Sequence, residues 1–181
     1  MRDLSLHILD IIENAIRVGA SSVEVSLTED PTHDLLTLLV EDNGPGLRVP
    51  PETAMNPFYT TKSGKRTGLG LSLFQAAAER AGGRLILRKA RLGGLAVEAT
   101  MHLSHVDRSP LGDMPATISS IVCTNPKLDL TLRFHASGRK TTLRISEILD
   151  ELKTNGCCGL SAARKVSDRV KAAVTEMTCV S

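Results

Sequence analysis

The first residues of the chain combine an apolar face with a polar stripe. Between residues 4 and 17, six apolar side chains recur at i, i+3, i+4 and i+7 spacing, which predicts an amphipathic helix. Asp10, Asn14 and Arg17 lie about one turn apart on this helix, so they line a stripe beside the apolar face. Gly19 is a plausible C-terminal cap, because glycine readily adopts the left-handed conformation that ends many helices.

Two strands are expected next. Residues 23–27 alternate between apolar and polar types, which is typical of a half-buried strand. Residues 35–40 are apolar except for one threonine, which predicts a strand buried on both faces. The turn formers at 41–46 end that strand. From 44 to 67 no periodicity is sustained, as expected of a functional loop.

A second helix and a second pair of strands complete the first part of the chain. The helix is predicted to begin at Gly68 and to stop at Gly82 and Gly83. Strands are predicted at 85–87 and 97–103. The order helix, two strands, loop, helix, two strands predicts an α+β fold. In it, helices form one layer of a two-layer sandwich against a mainly antiparallel sheet.

The sequence changes in texture at residues 108–115, where we expect a boundary between a domain at 1–107 and a segment at 108–181. That second segment is expected to be either a small domain or an extension that docks on the first domain or on a partner. Its predicted elements are a hairpin of 128–134 and 141–145 around Ser137 and Gly138, and helices at 146–153 and 162–174.

Composition limits the class of protein. The chain has 181 residues, a net charge of +2, 41% apolar residues and 23% charged residues, which is ordinary for a globular protein. No apolar run is long enough to cross a bilayer, and the N-terminus is not that of a secretory signal. We therefore expect a soluble cytoplasmic protein. Nucleic acid is an unlikely partner, because no dense basic stripe is present.

The cysteines do not predict a metal or redox site. All four lie in the second half of the chain, and none forms a C-x-x-C pair. A cytoplasmic protein keeps its thiols reduced, so free cysteines are expected. A metal or redox site is the alternative, and the adjacent Cys157 and Cys158 are the one pair that favours it.

Four short segments carry the candidate chemistry, and they follow one another in a fixed order. They are Asp10-Ile-Ile-Glu-Asn14-Ala-Ile, Asp42-Asn-Gly44-Pro-Gly46, Asn56-Pro-Phe58-Tyr-Thr-Thr-Lys62 and Thr67-Gly68-Leu69-Gly70-Leu71-Ser. Each alone is more often a plain turn or helix start than a nucleotide site. Together they resemble the N box, the D-x-G-x-G box, the F box and the second glycine box of the GHKL ATPase superfamily. The last two are most similar to those of histidine kinase catalytic domains.

The resemblance covers about residues 4–104, and it implies a Bergerat-type ATP-binding fold with ATP and Mg²⁺ as cofactors. Asn14 is the expected Mg²⁺ ligand, which suits a cation that keeps few protein ligands. Asp42 is expected to accept a hydrogen bond from the adenine amino group. The glycines before the second helix offer backbone N–H groups to phosphates. The implied nucleotide-binding residues are Asn14, Arg17, Asp42, Gly44, Gly46, Leu47, Phe58, Lys62, Thr67, Gly68, Leu69, Gly70 and Leu71.

The expected catalytic residues are Asp10 and Lys62. Hydrolysing members of the superfamily carry a glutamate as general base four residues before the N-box asparagine, and here that position is Asp10. Glu13 points about 100° away on the helix and is the poorer candidate. Lys62 would bring positive charge to the γ-phosphate. Gly94-Leu95-Ala96 stands where histidine kinases often place a Gly-Thr-Thr stretch near adenine, so one polar contact to the base is expected to be missing.

The resemblance implies three functions. The first is a stand-alone kinase module that passes the γ-phosphoryl group to a histidine, serine or threonine of a partner protein. Only thirteen residues precede Asn14, and His7 is expected to be a packing or surface residue, so the phosphoacceptor is expected on another protein. The alternatives are an ATP-gated interaction module with little turnover and a mismatch-repair-like ATPase.

Overall fold

The computed structural model describes residues 3–58, 69–154 and 156–178. Its helices and strands alternate along the chain in the order predicted for the first segment, and further elements follow. In chain order they are α1 (Leu4–Arg17), β1 (Ser22–Asp30), β2 (Leu35–Asp42), α2 (Pro51–Met55), α3 (Leu69–Arg80), β3 (Arg84–Lys89), β4 (Leu95–His102), α4 (Met114–Thr124), β5 (Asp129–Ala136), β6 (Arg139–Arg144), α5 (Ile145–Thr154) and α6 (Leu160–Thr178).

The strands form one six-stranded sheet in the order β3-β4-β2-β1-β5-β6. Every neighbouring pair is antiparallel except β1 and β5, which run parallel. Alternate strand residues face the helices and are buried, as Val25, Leu38 and Leu132 are. The opposite face carries polar and charged side chains. The predicted α+β class and the mainly antiparallel sheet are confirmed.

Helix α1 forms as its apolar spacing predicts. Its N-cap residue Asp3 accepts a hydrogen bond from the backbone N–H of Leu6, which satisfies one of the free donors of the first turn. Leu4, Ile8 and Ile12 are completely buried. Burying such side chains contributes about 2 kcal/mol each, so this helix is held firmly against the sheet. Its polar stripe is consequently fixed in position.

Three local features differ from the sequence predictions. β2 is not buried on both faces along its length, because Leu35, Thr37 and Leu39 stay partly exposed on the polar face. The short helix α2 lies inside the stretch predicted to be a loop. Helix α4 was not predicted, because its apolar positions are diluted by serine and threonine. Its signals were nevertheless present: Asp113 caps it, and its buried residues recur at helical spacing.

The segment after residue 108 contributes to the same sheet and core. β5 pairs with β1 from Ser22 opposite Asp129 to Thr28 opposite His135. The predicted hairpin is confirmed, since β5 and β6 are joined by Ser137 and Gly138, both at positive φ. The division at residue 107 stays a prediction, while the apolar core runs without interruption from α1 to α6.

Two further expectations concern surface and thiol chemistry. No helix of the described residues is long and apolar enough to cross a bilayer. Cys123, Cys157 and Cys158 form no disulfide bond among the described residues. Cys157 lies 3.1 Å from the Ser161 hydroxyl. Cys179 lies outside the described residues.

Candidate functional site

A cavity of about 210 Å³ opens between α1, the start of α3 and the ends of β2 and β4. Its lining residues come from α1, from the stretch that begins at Asp42, from α2, from the start of α3 and from β4, and most of them are apolar. They are Asp10, Ile11, Asn14, Ala15, Arg17, Val18, Asp42, Pro45, Gly46, Leu47, Arg48, Val49, Ala54, Gly70, Leu71, Leu95 and Val97. The cavity has polar groups at separate positions on an apolar wall, which is the usual composition of a small-molecule site.

The polar stripe of α1 forms a chain of hydrogen bonds along one edge of the cavity. The Asn14 amide nitrogen donates to Asp10 Oδ2 at 3.0 Å. Arg17 in turn donates to Asn14 Oδ1 at 2.8 Å. These two bonds orient the amide, with its nitrogen toward the carboxylate and its oxygen toward the guanidinium. The predicted one-turn spacing of the three residues is therefore realised as direct contact.

Gly70 lets α3 begin against this carboxylate. A Cβ atom at position 70 would overlap Asp10 Oδ2 and lie 2.8 Å from Asp10 Cγ. Any side chain at this position would have to displace the Asp10 carboxylate, so glycine is favoured there. The start of α3 and the carboxylate of α1 thus form one wall of the cavity.

Asp42 lies at the other end of the cavity, where β2 ends. Its side chain is buried, and its Oδ1 atom accepts hydrogen bonds from the backbone N–H of Gly44 at 2.7 Å and of Leu95 at 3.3 Å. Among the described residues, the hydrogen bonds that this carboxylate accepts are made at its Oδ1 atom. Two donors on one oxygen fix the carboxylate plane, so Oδ2 has a defined direction in which to accept a further donor.

The turn between β3 and β4, residues 90–94, packs against Asp42 and against residues 43–46, here called the glycine-rich loop. Gly94 donates its backbone N–H to the Asp42 carbonyl oxygen at 3.0 Å. A Cβ at Gly94 would lie 2.6 Å from the Gly44 nitrogen, so a side chain there is excluded. At Gly46, with φ at +72°, a Cβ would meet the Gly94 carbonyl oxygen at 3.6 Å. The loop and the turn therefore enclose this end of the cavity together.

The structure brings together eight of the residues expected at the site: Asp10, Asn14, Arg17, Asp42, Gly46, Leu47, Gly70 and Leu71. Gly44 does not line the cavity but holds Asp42. Leu69 is nearly half exposed, and Phe58 is 81% exposed, and neither lines the cavity. Lys62, Thr67 and Gly68 lie outside the described residues.

Several lining residues were not predicted as site residues. Ile11, Ala15 and Val18 neighbour the polar stripe on α1, and Arg48 and Val49 follow the glycine-rich loop. Each of them lies within two residues of a predicted site residue, and this proximity is the sequence signal that could have identified them. Leu95 also lines the cavity. Its apolar side chain lies where histidine kinases often place a polar residue near adenine.

His7 belongs to the core and not to the site. Its ring is 1% exposed and stacks on Phe74, with centroids 4.5 Å apart. Neither ring nitrogen has a hydrogen-bond partner among the described residues. Burial lowers the pKa of His7 from 6.5 to about 4, because the charged ring would lose its hydration. His7 is thus a neutral packing residue, as expected.

Asn14 is the side chain of the cavity that was predicted to bind Mg²⁺. Among residues 3–58, 69–154 and 156–178, no group of three or more histidine, cysteine, aspartate or glutamate side chains is arranged to hold a metal ion. Mg²⁺ commonly takes one or two protein oxygens and completes its shell with phosphate and water, so the amide oxygen of Asn14 is compatible with that role. In this structure that oxygen accepts a hydrogen bond from Arg17.

Comparison with known proteins finds relatives of the first part of the chain. Residues 2–105 match the family described as histidine kinase-, DNA gyrase B- and HSP90-like ATPase. The sensor protein kinase PilS of Pseudomonas aeruginosa is 39% identical over 93 residues, which are 47% of this chain and 17% of PilS. The sensor histidine kinase CpxA of Escherichia coli is 33% identical over 92 residues, 48% of this chain and 20% of CpxA.

The match to these relatives ends well short of their full length, since the chain spans about a fifth of each. One solved structure matches over more of this chain. It is the N-terminal domain of a DNA repair protein, 12% identical, with a TM-score of 0.52 over 92% of this chain and 56% of that chain. At this identity, the likeness shows a shared fold, which extends beyond residue 105.

Proposed function

Because the chain belongs to the histidine kinase-, DNA gyrase B- and HSP90-like ATPase family, whose domains bind ATP, we propose that it is a Mg²⁺-dependent protein kinase module of the histidine kinase type. It would transfer the γ-phosphoryl group of ATP to a side chain of a partner protein in signalling. We propose a cytoplasmic location for this reaction, because ATP is supplied there.

One observation carries the proposal. The cavity has Asp42 at one end and the Asp10–Asn14 pair at the other, with apolar side chains between them. A buried carboxylate recognises the amino group of adenine and rejects a base that presents a carbonyl oxygen there. The apolar wall packs against the planar base. The nucleotide would therefore lie with its base at Asp42 and its phosphates toward α1 and the start of α3.

The phosphate end offers charge and N–H donors. Arg17 carries a positive charge beside Asn14. Helix α3 has twelve residues, and its first residues present backbone N–H groups at its N-terminus. Anions are favoured at such a position. Asn14 Oδ1 would hold Mg²⁺ once Arg17 releases it. The bound ion would supply neutralisation of charge on the β- and γ-phosphate oxygens.

Asp10 is the proposed base. The acceptor side chain attacks the γ-phosphorus, the bond from that phosphorus to the bridging oxygen breaks, and ADP leaves with the electron pair. The acceptor's proton passes to the Asp10 carboxylate, which Asn14 holds in place. Transfer of this kind depends mainly on positioning and charge neutralisation. Lys62, which lies outside the described residues, is proposed to bring its positive charge to the γ-phosphate.

The test uses the full chain, [γ-³²P]ATP and a lysate of the source cells. We expect one labelled partner band, and its loss in acid or in alkali distinguishes phosphohistidine from phosphoserine or phosphothreonine. Asp42→Asn is the inactive control, and Arg84→Gln, an exposed change on the outer strand β3, is the matched active control. ATP binding without labelling would instead favour a nucleotide-gated module. Steady phosphate release without a partner, abolished by Asp10→Asn, would favour an ATPase.

A further inference from the structure

A cluster of charged side chains lies on the polar face of the sheet, directly behind the cavity. Glu24 on β1 and Glu41 on β2 are opposite one another in the strand register. Both side chains are nearly buried, at 12% and 4% exposure. Two like charges facing each other across a pair of strands destabilise a sheet unless cations lie between them.

Arginines from two other parts of the chain supply those cations. Arg91, in the turn after β3, contacts Glu24 Oε1 at 2.6 Å and Glu41 Oε2 at 3.4 Å. Arg133, on β5, contacts both oxygens of Glu24, at 2.9 and 3.0 Å. The negative charge of Glu24, and then that of Glu41, holds the pKa of Arg91 above its ordinary value. Arg91 is therefore the cation shared by both carboxylates.

Glu41 also holds the backbone of the turn. Its Oε1 atom accepts the backbone N–H of Arg91 at 2.9 Å, while the Arg91 guanidinium contacts Oε2. The next residue, Asp42, points to the opposite face and holds the other end of the same turn through Gly94 and Leu95. The two adjacent buried residues at the end of β2 thus hold residues 91–95 together, Glu41 through its carboxylate and Asp42 through its backbone carbonyl and its carboxylate.

We propose that Arg91 is a positioning residue for nucleotide recognition, and that Glu24 and Arg133 support it. The guanidinium keeps Glu41 in place, Glu41 keeps the turn in place, and the turn presents Leu95 and its N–H to the cavity and to Asp42. Through Arg133, the segment after residue 108 contributes to the nucleotide site without touching it. This inference rests on the proposed function, because it takes ATP as the ligand of the cavity.

The cluster predicts an effect on the base end of the nucleotide. Without the guanidinium, Glu24 and Glu41 repel each other, and Glu41 moves away from the turn. Leu95 and Asp42 then lose their fixed relation, so adenine recognition weakens. We expect Arg91→Ala to weaken ATP binding by about tenfold, and Arg133→Ala by about threefold, as is usual for residues that act through others.

The experiment measures dissociation constants for ATP and GTP by calorimetry on the full chain. Arg91→Ala is expected to lose most of its preference for ATP over GTP, and Arg91→Lys, which keeps a cation near Glu24, to recover affinity to within about threefold of the wild type. Arg84→Ala is the matched control. It removes the same charge from the polar face of the sheet, at an exposed position on β3, whereas Arg88 is unsuitable because it lies 3.8 Å from Glu41.

A merely structural role would lower the melting temperature of Arg91→Ala but leave the ATP preference of the folded protein unchanged, and that result would overturn the inference. Equal losses in Arg84→Ala and Arg91→Ala would also overturn it, since they would reflect net charge. An unchanged Kd in Arg133→Ala would overturn the contribution of the second segment. A wild-type chain that binds no ATP would overturn the proposed function and this inference with it.

Discussion

The carboxylate of Asp10 occupies the space that any side chain at Gly70 would need. A Cβ at position 70 would overlap Asp10 Oδ2, although the two residues are sixty positions apart in the chain. The first turn of α3 and the polar stripe of α1 thereby pack closely at the end of the cavity that is proposed to hold the phosphates. We therefore expect Gly70 to be a sensitive position for both stability and nucleotide binding.

Gly70→Ala is expected to lower the melting temperature and to weaken ATP binding, because the new methyl group displaces the Asp10 carboxylate. Calorimetry and thermal unfolding measure the two effects. In an Asp10→Ala background the same change is expected to raise the melting temperature, since alanine is favoured over glycine in a helix by up to about 1 kcal/mol. A decrease of the same size in both backgrounds would show that the contact with Asp10 is not the cause.

Asp42→Asn is expected to weaken ATP binding by about 10- to 100-fold, which is the usual cost of losing a charged partner in a buried hydrogen bond. Asparagine can still accept the N–H groups of Gly44 and Leu95 through its Oδ1 atom, so the fold is expected to persist. Calorimetric titration with ATP measures the affinity, and circular dichroism checks the fold. Unchanged affinity would contradict the assignment of Asp42 to adenine.

Asn14→Ala is expected to remove the part of ATP affinity that depends on Mg²⁺. The wild-type chain should bind ATP more tightly with Mg²⁺ than with EDTA, and the variant should bind equally in both, because it lacks the amide oxygen. Glu13→Ala is the matched control, since Glu13 is an exposed neighbour on the same helix that does not line the cavity. A variant that keeps the full Mg²⁺ effect would exclude Asn14 as the ligand.

Stability is expected to fall in mild acid because of His7. Its pKa is lowered from 6.5 to about 4 in the folded chain, so the unfolded state binds more protons between these values. Stability from this residue is complete above the unfolded pKa of about 6.5 and is lost as the pH falls toward 4. The loss should reach about 2 kcal/mol near pH 4.5.

Urea unfolding at about pH 7.5 and about pH 4.5 measures this loss. His7→Phe, which keeps the stack on Phe74, is expected to reduce the difference in unfolding free energy between the two conditions by that amount. His135→Gln is the matched control, because His135 lies partly exposed on the polar face of the sheet. An identical acid response in wild type and His7→Phe would show that His7 is not the titrating group.

Much of the architecture could be predicted from local patterns. The spacing of Leu4, Ile8 and Ile12 is enough to define α1, because a helical period is a property of a few adjacent turns. The hairpin at Ser137 and Gly138 follows from turn chemistry in the same way. Helix α4 was missed where serine and threonine dilute the apolar period, so pattern strength limited the prediction.

The sequence by itself determined which residues were predicted to line a nucleotide site and in what order: the stripe of Asp10, Asn14 and Arg17, and the glycine-rich stretch after Asp42. It did not determine that β5 lies beside β1, or that Arg91 and Arg133 converge on Glu24. Those contacts join residues 67 and 109 positions apart. Only the tertiary structure decides them, because strand register and packing depend on the whole core, whereas periodicity reports on neighbours along the chain.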